Sequence, residues 1–431
     1  MRTLTLSPCR ELAGDITLPG SKSISNRALL LAALANGSTR IHNLLDSEDT
    51  QLMRRALAQL EVEIVESGGI CTVSGSNGPL YQGNGRFNLD LGLAGTAIRP
   101  LAAALTLGAG QFVLDGIERM RERPIAPLVD GLRQLGANVR YLETEGFPPV
   151  EIHGTGLNGG TAKIPGDLSS QFLTSLLMAA PLARGPVTIE IIGEQISKPY
   201  LAITLHMMEK FGATVKHEDY QHFEVSPGRY KSPGDFLVEG DASSASYFLA
   251  AGAIRGAGIR VHGLGADSVQ GDLAFLDVLE AMGARVQRDA TSIFVQPGLL
   301  HGVDLDLNNI PDAAMTAAML ALFAEGTTTL RNIYSWRVKE TDRLAAMSTE
   351  LRKLGATVIE GRDFLQIDPP EQLTAATIDT YGDHRMAMCF SLACLGDVSV
   401  VINDPDCVEK TFPDYFERFA ELRCESDAAT T

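Results

Sequence analysis

The alternation of apolar and polar positions breaks at four closely similar places: Leu135-Gly136-Ala137-Asn138-Val139, Phe211-Gly212-Ala213-Thr214-Val215, Met282-Gly283-Ala284-Arg285-Val286 and Leu354-Gly355-Ala356-Thr357-Val358. Their glycines lie 76, 71 and 72 residues apart, and a degenerate fifth copy, Leu60-Glu61-Val62-Glu63-Ile64, stands 75 residues before Gly136. Each copy closes a stretch of helical periodicity (Ile125 to Leu135, Leu201 to Phe211, Leu344 to Leu354) and opens an alternating run. That order predicts helix, glycine cap, then strand. An Ala/Leu-rich segment precedes each, over residues 25–35, 96–107, 170–183, 243–254, 313–323 and 385–395, with short β-like runs between them at 110–114, 187–192, 259–262 and 327–333. The chain reads as an α/β module of about 70 residues present six times, the last ending in a helix over 412–422.

Modules this long exceed the common solenoid repeats, so the predicted architecture is three of them closing around one core in each of two domains. A length of 431 residues also fits two domains. The stretch Ser226-Pro227-Gly228-Arg229-Tyr230-Lys231-Ser232-Pro233-Gly234-Asp235 is the predicted linker, and residues 425–431 are an expected disordered tail.

Composition narrows the class. With 45% hydrophobic and 21% charged residues the chain is globular rather than low-complexity. No apolar run reaches ~18 residues and the first ten residues carry no apolar leader core, which predicts a cytoplasmic protein without a membrane segment. Six cysteines lacking C-x-x-C spacing are expected to be free thiols. A formal net charge of −17 repels nucleic acid and anionic membrane, so an anionic ligand must be held by a local excess of cations.

Three tempting motifs fail on context. Gly154-Thr155-Gly156-Leu157-Asn158-Gly159 has dinucleotide-type spacing but runs into another β-like segment instead of a helix. His217-Glu218-Asp219-Tyr220-Gln221-His222 is one residue too long to put both imidazoles on one helix face, so no metal site is predicted. Gly20-Ser21-Lys22-Ser23 lacks the upstream glycine of a Walker A loop.

What recurs is polar chemistry at the fronts of the Ala/Leu-rich helices, where the helix dipole and unpaired N–H groups favour anions. Pro19 to Arg27 supplies hydroxyls and two cations; the position recurs as Gly95-Thr96, Ser169-Ser170-Gln171, Asp241 to Ser244, Asp312 and Gly382-Asp383-His384-Arg385. Lys339, Glu340 and Arg343 are spaced to share one side of a helical turn, as a solvated charge ladder also would. Arg123 and Lys410, read alone, are equally consistent with surface charges.

Taken in order, Leu18-Pro19-Gly20-Ser21-Lys22-Ser23, Gly95-Thr96-Ala97-Ile98-Arg99-Pro100, Ser169-Ser170-Gln171-Phe172-Leu173, Asp383-His384-Arg385-Met386-Ala387 and Lys410-Thr411-Phe412-Pro413 closely resemble the 5-enolpyruvylshikimate-3-phosphate synthase family over nearly the whole chain. The resemblance implies an α/β fold of two similar domains, each of three βαβαββ units around a helical core (an inverse α/β barrel), with the active site in the interdomain cleft. It implies domains of residues 1–20 plus 240–431 and 21–239. It also implies transfer of the enolpyruvyl group of phosphoenolpyruvate to the 5-hydroxyl of shikimate 3-phosphate, in chorismate and aromatic amino-acid biosynthesis, by a monomer that needs no cofactor and is a glyphosate target.

By the same resemblance, Ser23 and Arg27 take the shikimate carboxylate. Ser169, Ser170, Ser197 and Lys339 hold its 3-phosphate, with Gln171, Tyr200 and Ser335 beside them. Arg343 and Arg385 grip the phosphoenolpyruvate carboxylate; Lys22, Arg123, Lys410 and the Gly95 amide take its phosphate, Gln171 lying next to both substrates. Asp312 is the implied base, and Glu340, assisted by Lys22, the group that moves a proton at the methylene carbon. Leu93 and Ser335 stand where the family usually has Asn: Leu93 predicts altered affinity for phosphoenolpyruvate and glyphosate, and the shorter Ser335 a contact to the shikimate phosphate that is lost or bridged by water. The sister enzyme acting on UDP-N-acetylglucosamine is disfavoured because residues 112–124 contain no Cys. A non-catalytic repeat scaffold leaves the charged helix fronts unexplained.

Overall fold

The computed structural model describes residues 2–10 and 12–422; the tail expected at 425–431 and Cys424 lie outside them. The chain divides into two compact units: a continuous one, Gly20–Val238, and a discontinuous one, Met1–Pro19 with Glu239–Thr431.

One module serves as template. Strand Gly160–Pro165, helix Ser170–Ala179, strand Val187–Ile192, helix Lys198–Lys210 and strands Val215–Glu218 and His222–Val225 follow in sequence. The first two strands pair in parallel, Ala162 opposite Ile189, and the closing hairpin adds antiparallel to the second. A parallel pair needs a crossover, which the helix supplies. His217 to His222 is that closing hairpin, with the imidazoles on two strands.

Five four-stranded sheets follow this plan, and the sixth has three strands. Two modules borrow their first strand from far along the chain. Asp235–Leu237 pairs with Ser38–His42 in the continuous unit, and Ala13–Thr17 pairs with Gly258–His262 in the discontinuous one. The three-stranded sheet, Ala376–Ile378 with Val400–Asn403, takes Thr3–Leu6 antiparallel in place of a closing hairpin. The predicted linker is not a free connection. Tyr230 is fully buried with its hydroxyl donating to the Met178 carbonyl at 2.8 Å, and the stretch leads into the Asp235–Leu237 strand.

The Ala/Leu-rich helices pack on one another inside each unit: Gly95–Leu105 against Lys22–Leu34 and Ser170–Ala179, and Ala314–Leu320 against Ala242–Ile254 and His384–Ser391. Small residues permit this all-round burial, and Ala242–Ile254 is buried at every position but its last. The repeated glycines cap the outer helices in left-handed conformation, with φ of 93°, 83°, 106° and 100° at Gly136, Gly212, Gly283 and Gly355. Glu61 takes the same role at φ 67°, a conformation that costs a side-chain-bearing residue roughly 1 kcal/mol.

Candidate active site

In the continuous unit the three core helices share one irregularity. Every residue of Lys22–Leu34 is buried except Ser23, every residue of Gly95–Leu105 except Thr96, and every residue of Ser170–Ala179 except Gln171. Each exception is the second residue of its helix, so the openings lie where backbone N–H groups lack intrahelical acceptors.

Arg27 ties these fronts together. Its guanidinium donates to the Ser23 carbonyl at 2.9 Å, the Tyr200 carbonyl at 3.3 Å, and the hydroxyls of Thr204 at 2.9 Å and Thr174 at 3.4 Å. Burial pushes its pKa down to about 10, with Tyr200 acting in the opposite direction. Ser197 caps the neighbouring helix Lys198–Lys210 at φ 54°, and the Ser169 hydroxyl accepts from the Gln171 amide at 3.3 Å. Ser170 and Ser197 are buried.

A second polar string starts at Lys22, whose ammonium lies 3.3 Å from the Asp49 carboxylate. The Thr96 hydroxyl reaches Asp49 at 3.5 Å and accepts from the Asn26 amide at 2.7 Å. On the same helix as Thr96, Arg99 donates to Gln171 and to the Pro124 carbonyl at 3.0 Å while stacking over Phe172. Arg123 is buried and donates to the Leu93 carbonyl at 3.2 Å; its Nε has no hydrogen-bond partner among the described residues. The guanidinium lies so close to Gly95 that a Cβ there would stand 2.9 Å from it.

In the discontinuous unit the hub is Asp312. Its carboxylate accepts from Arg343 at 2.8 Å and Arg385 at 3.0 Å, with the Lys339 ammonium 3.5 Å away. Burial alone would raise its pKa, but Arg385, Lys339 and Arg343 outweigh burial and hold the carboxyl well below the usual range. Arg343 is almost wholly buried and also meets Asp383 at 2.7 Å and Glu340 at 3.0 Å. Its pKa rises despite burial because Asp383, Glu340 and Asp312 surround it. Lys339 has its pKa lowered by burial, with Asp312 opposing.

The elements that place these groups are local. Fully buried Trp336 donates its indole N–H to the Pro311 carbonyl at 2.6 Å, fixing the backbone beside Asp312. Ser335 is buried in the same short 3-10 helix, Tyr334–Val338. Asp383 caps the His384–Ser391 helix by accepting from the Arg385 amide at 2.9 Å, and Arg385 donates to the Tyr247 hydroxyl at 3.0 Å. Lys410 ends the 3-10 helix Pro405–Lys410, which packs on that helix.

One expectation is corrected. Lys339 and Glu340 do not share a helical turn with Arg343: Asp342 caps the Arg343–Lys353 helix and both residues precede it, in extended and bent backbone. The expected local excess of positive charge is also one-sided, because Asp312, Glu340 and Asp383 face the cations of the discontinuous unit. Sequence reasoning assigned no role to Asp383, Tyr247, Asp49, Thr96, Arg99, Thr174 or Thr204. Asp383, Thr96 and Arg99 lie within the quoted motifs; the others carry no signal beyond residue type.

Comparison with known proteins decides between the families these fronts suggest. The family model for EPSP synthase (3-phosphoshikimate 1-carboxyvinyltransferase) matches residues 6–419. The chain belongs to the EPSP synthase family. It is 60% identical to a 3-phosphoshikimate 1-carboxyvinyltransferase of Vibrio cholerae serotype O1 (strain M66-2), over 98% of this chain and all of that one. The corresponding protein of Shewanella loihica is 59% identical over the same shares. Among solved structures, an EPSP synthase from Acinetobacter baumannii superposes with a TM-score of 0.82 at 25% identity, covering 98% of each chain. The enolpyruvyl transferase NikO from Streptomyces tendae shares the fold, with a TM-score of 0.78 at 19% identity over 97% of each chain. As in other EPSP synthases, the fold is mixed α/β with an inverse-barrel arrangement of sheets and helices.

Proposed function

We propose that the residues described above bind phosphoenolpyruvate and shikimate 3-phosphate and perform the enolpyruvyl transfer of the EPSP synthase family. The observation that carries this reading is the buried convergence of Arg343, Arg385 and Lys339 on one carboxylate, Asp312. Two guanidiniums directed at a carboxylate are suited to a second carboxylate, that of phosphoenolpyruvate.

Ser23 and Arg27 take the shikimate carboxylate, and Ser169, Ser170, Ser197 and Lys339 its 3-phosphate, with Gln171, Tyr200 and Ser335 alongside. Lys22, Arg123, Lys410 and the Gly95 amide take the phosphate of phosphoenolpyruvate. The 5-oxygen bonds to C2 of phosphoenolpyruvate while C3 gains a proton; the tetrahedral intermediate then loses phosphate and a C3 proton.

Asp312 accepts the hydroxyl proton, and Glu340, assisted by Lys22, gives and later removes the C3 proton. Asp312 is a weak base while Arg385, Lys339 and Arg343 hold its carboxyl below the usual range. A second carboxylate on Arg343 and Arg385 draws on the same charge and raises the proton affinity of Asp312, so the base strengthens when phosphoenolpyruvate is present.

The protein is taken to act as a monomer in the cytoplasm. No helix among the described residues is long and apolar enough to cross a membrane; the five described cysteines are free thiols, as expected in a reducing compartment. Phosphate release from phosphoenolpyruvate, measured with shikimate 3-phosphate, with UDP-N-acetylglucosamine and with neither, tests the reading. Release is expected with shikimate 3-phosphate only; silence with it overturns the proposal.

A further inference from the structure

Outside the groups that touch substrate, one buried carboxylate is placed in an unusual way. Glu350 is wholly buried two turns along the helix that begins at Arg343, and a separation of seven residues puts both on one face. Its carboxylate accepts from the Tyr381 hydroxyl at 2.7 Å and the Asp379 amide at 3.2 Å. Lys353 lies 2.8 Å from Glu350 and 2.9 Å from Asp379. Apart from Lys353, on its own helix, these contacts of Glu350 go to one turn, residues 379–382.

That turn is strained and leads straight into the site. Tyr381 and Gly382 hold φ of 55° and 67°, and a Cβ at Gly382 would meet nothing within 4 Å, so conformation rather than space calls for glycine. A left-handed conformation is unfavourable for a side-chain-bearing residue such as Tyr381, and its hydroxyl bond to Glu350 offsets that strain. The turn is pinned on its other side as well. The Thr380 hydroxyl donates to the Asn403 carbonyl at 3.0 Å, and Asn403 donates to Asp379 at 2.7 Å. The next residue is Asp383, which caps the helix of Arg385 and meets Arg343. A closed circuit results: Arg343, its helix, Glu350, Tyr381, Gly382, Asp383 and back to Arg343.

We propose that Glu350 and Tyr381 are positioning residues for the carboxylate-gripping arginines: their hydrogen bond fixes the turn that sets Asp383 against Arg343 and orients Arg385. A buried carboxylate carries a desolvation cost, which an apolar side chain at the same place would avoid. Its bonds to the turn and its pairing with Lys353 offset that cost, and the turn runs directly into Asp383.

The proposal rests on the reading that Arg343 and Arg385 bind phosphoenolpyruvate, so the test separates the two. In the full-length protein, Tyr381→Phe removes one hydroxyl from a ring that is 46% exposed and is expected to fold normally. It should raise KM for phosphoenolpyruvate about fivefold, leaving KM for shikimate 3-phosphate and kcat within about twofold. Glu350→Gln should act in the same direction, and the double variant should be no worse than the poorer single one. An unchanged KM for phosphoenolpyruvate in Tyr381→Phe, or equal rises for both substrates, overturns the proposal. Arg343→Lys is the control: if it leaves KM for phosphoenolpyruvate unchanged, the site reading itself fails.

Discussion

The two units hold their cations in opposite ways. In the discontinuous unit Arg343 lies among Asp312, Glu340 and Asp383, so its charge is matched by carboxylates. In the continuous unit Arg27 is also buried, yet its guanidinium donates to carbonyls and hydroxyls, and its pKa falls to about 10. The first arrangement is a balanced network whose members are already paired; the second is a buried cation solvated by neutral oxygens. An incoming anion has to share partners in the first and finds a formal charge to neutralise in the second.

Removing a guanidinium therefore separates the two most sharply. Arg343→Met takes the shared guanidinium from buried Asp383 and from partly buried Asp312 and Glu340, and should cost about 3–5 kcal/mol by urea denaturation. Arg27→Met leaves only neutral acceptors unpaired, about 1–3 kcal/mol, while raising KM for shikimate 3-phosphate more than about tenfold. Equal stability losses would break the contrast.

Within the discontinuous unit, with its paired carboxylates, the pH response runs in two directions. Burial, reinforced by Asp312, raises the Asp272 carboxyl from 3.8 to about 6. A raised carboxyl contributes stability below its unfolded value that is lost as pH rises through the folded one, so stability should decline from about pH 4 to about pH 6. Asp312, with its pKa lowered, contributes in the reverse sense: its share is present above 3.8 and is lost on further acidification. Asp272→Asn should remove the first decline; an unchanged slope across that window would contradict the assignment.

Smaller effects belong to the continuous unit. Gly95→Ala places a methyl 2.9 Å from the Arg123 guanidinium, which must shift. About a tenfold rise in KM for phosphoenolpyruvate is expected, with shikimate 3-phosphate little affected. Leu93→Asn keeps the carbonyl that Arg123 uses and changes only a half-buried side chain. It should alter phosphoenolpyruvate and glyphosate affinity by about two- to threefold; unchanged constants would show that Leu93 is neutral.

Local signals carried most of the fold. The glycine caps and Ala/Leu-rich runs were legible because each depends on neighbours within one turn or strand. Glu61 shows the limit, since it adopts the capping conformation without the residue that announces it. The predicted linker lies just before the unit boundary after Val238, but proline and glycine mark turns whether or not a buried Tyr230 anchors them. Within the site, residues at helix fronts could be named, but their partners could not. Asp383 meets Arg343 across 40 positions and Thr204 meets Arg27 across 177, separations that no periodicity encodes. Lys339 and Glu340 had helical spacing, yet the Asp342 cap starts the helix after them.

The borrowed strands have a consequence for synthesis on the ribosome. Everything the continuous unit pairs with itself has emerged once Val238 is out, so that unit has its full complement of strands while nearly half the chain is untranslated. Thr3–Leu6 and Ala13–Thr17, made first, find their partners only when residues 258–262 and then 400–403 appear. The earliest residues thus wait longest, as exposed strand edges that another nascent chain could capture. An amino-terminal extension or deletion would be felt in the unit that is finished last.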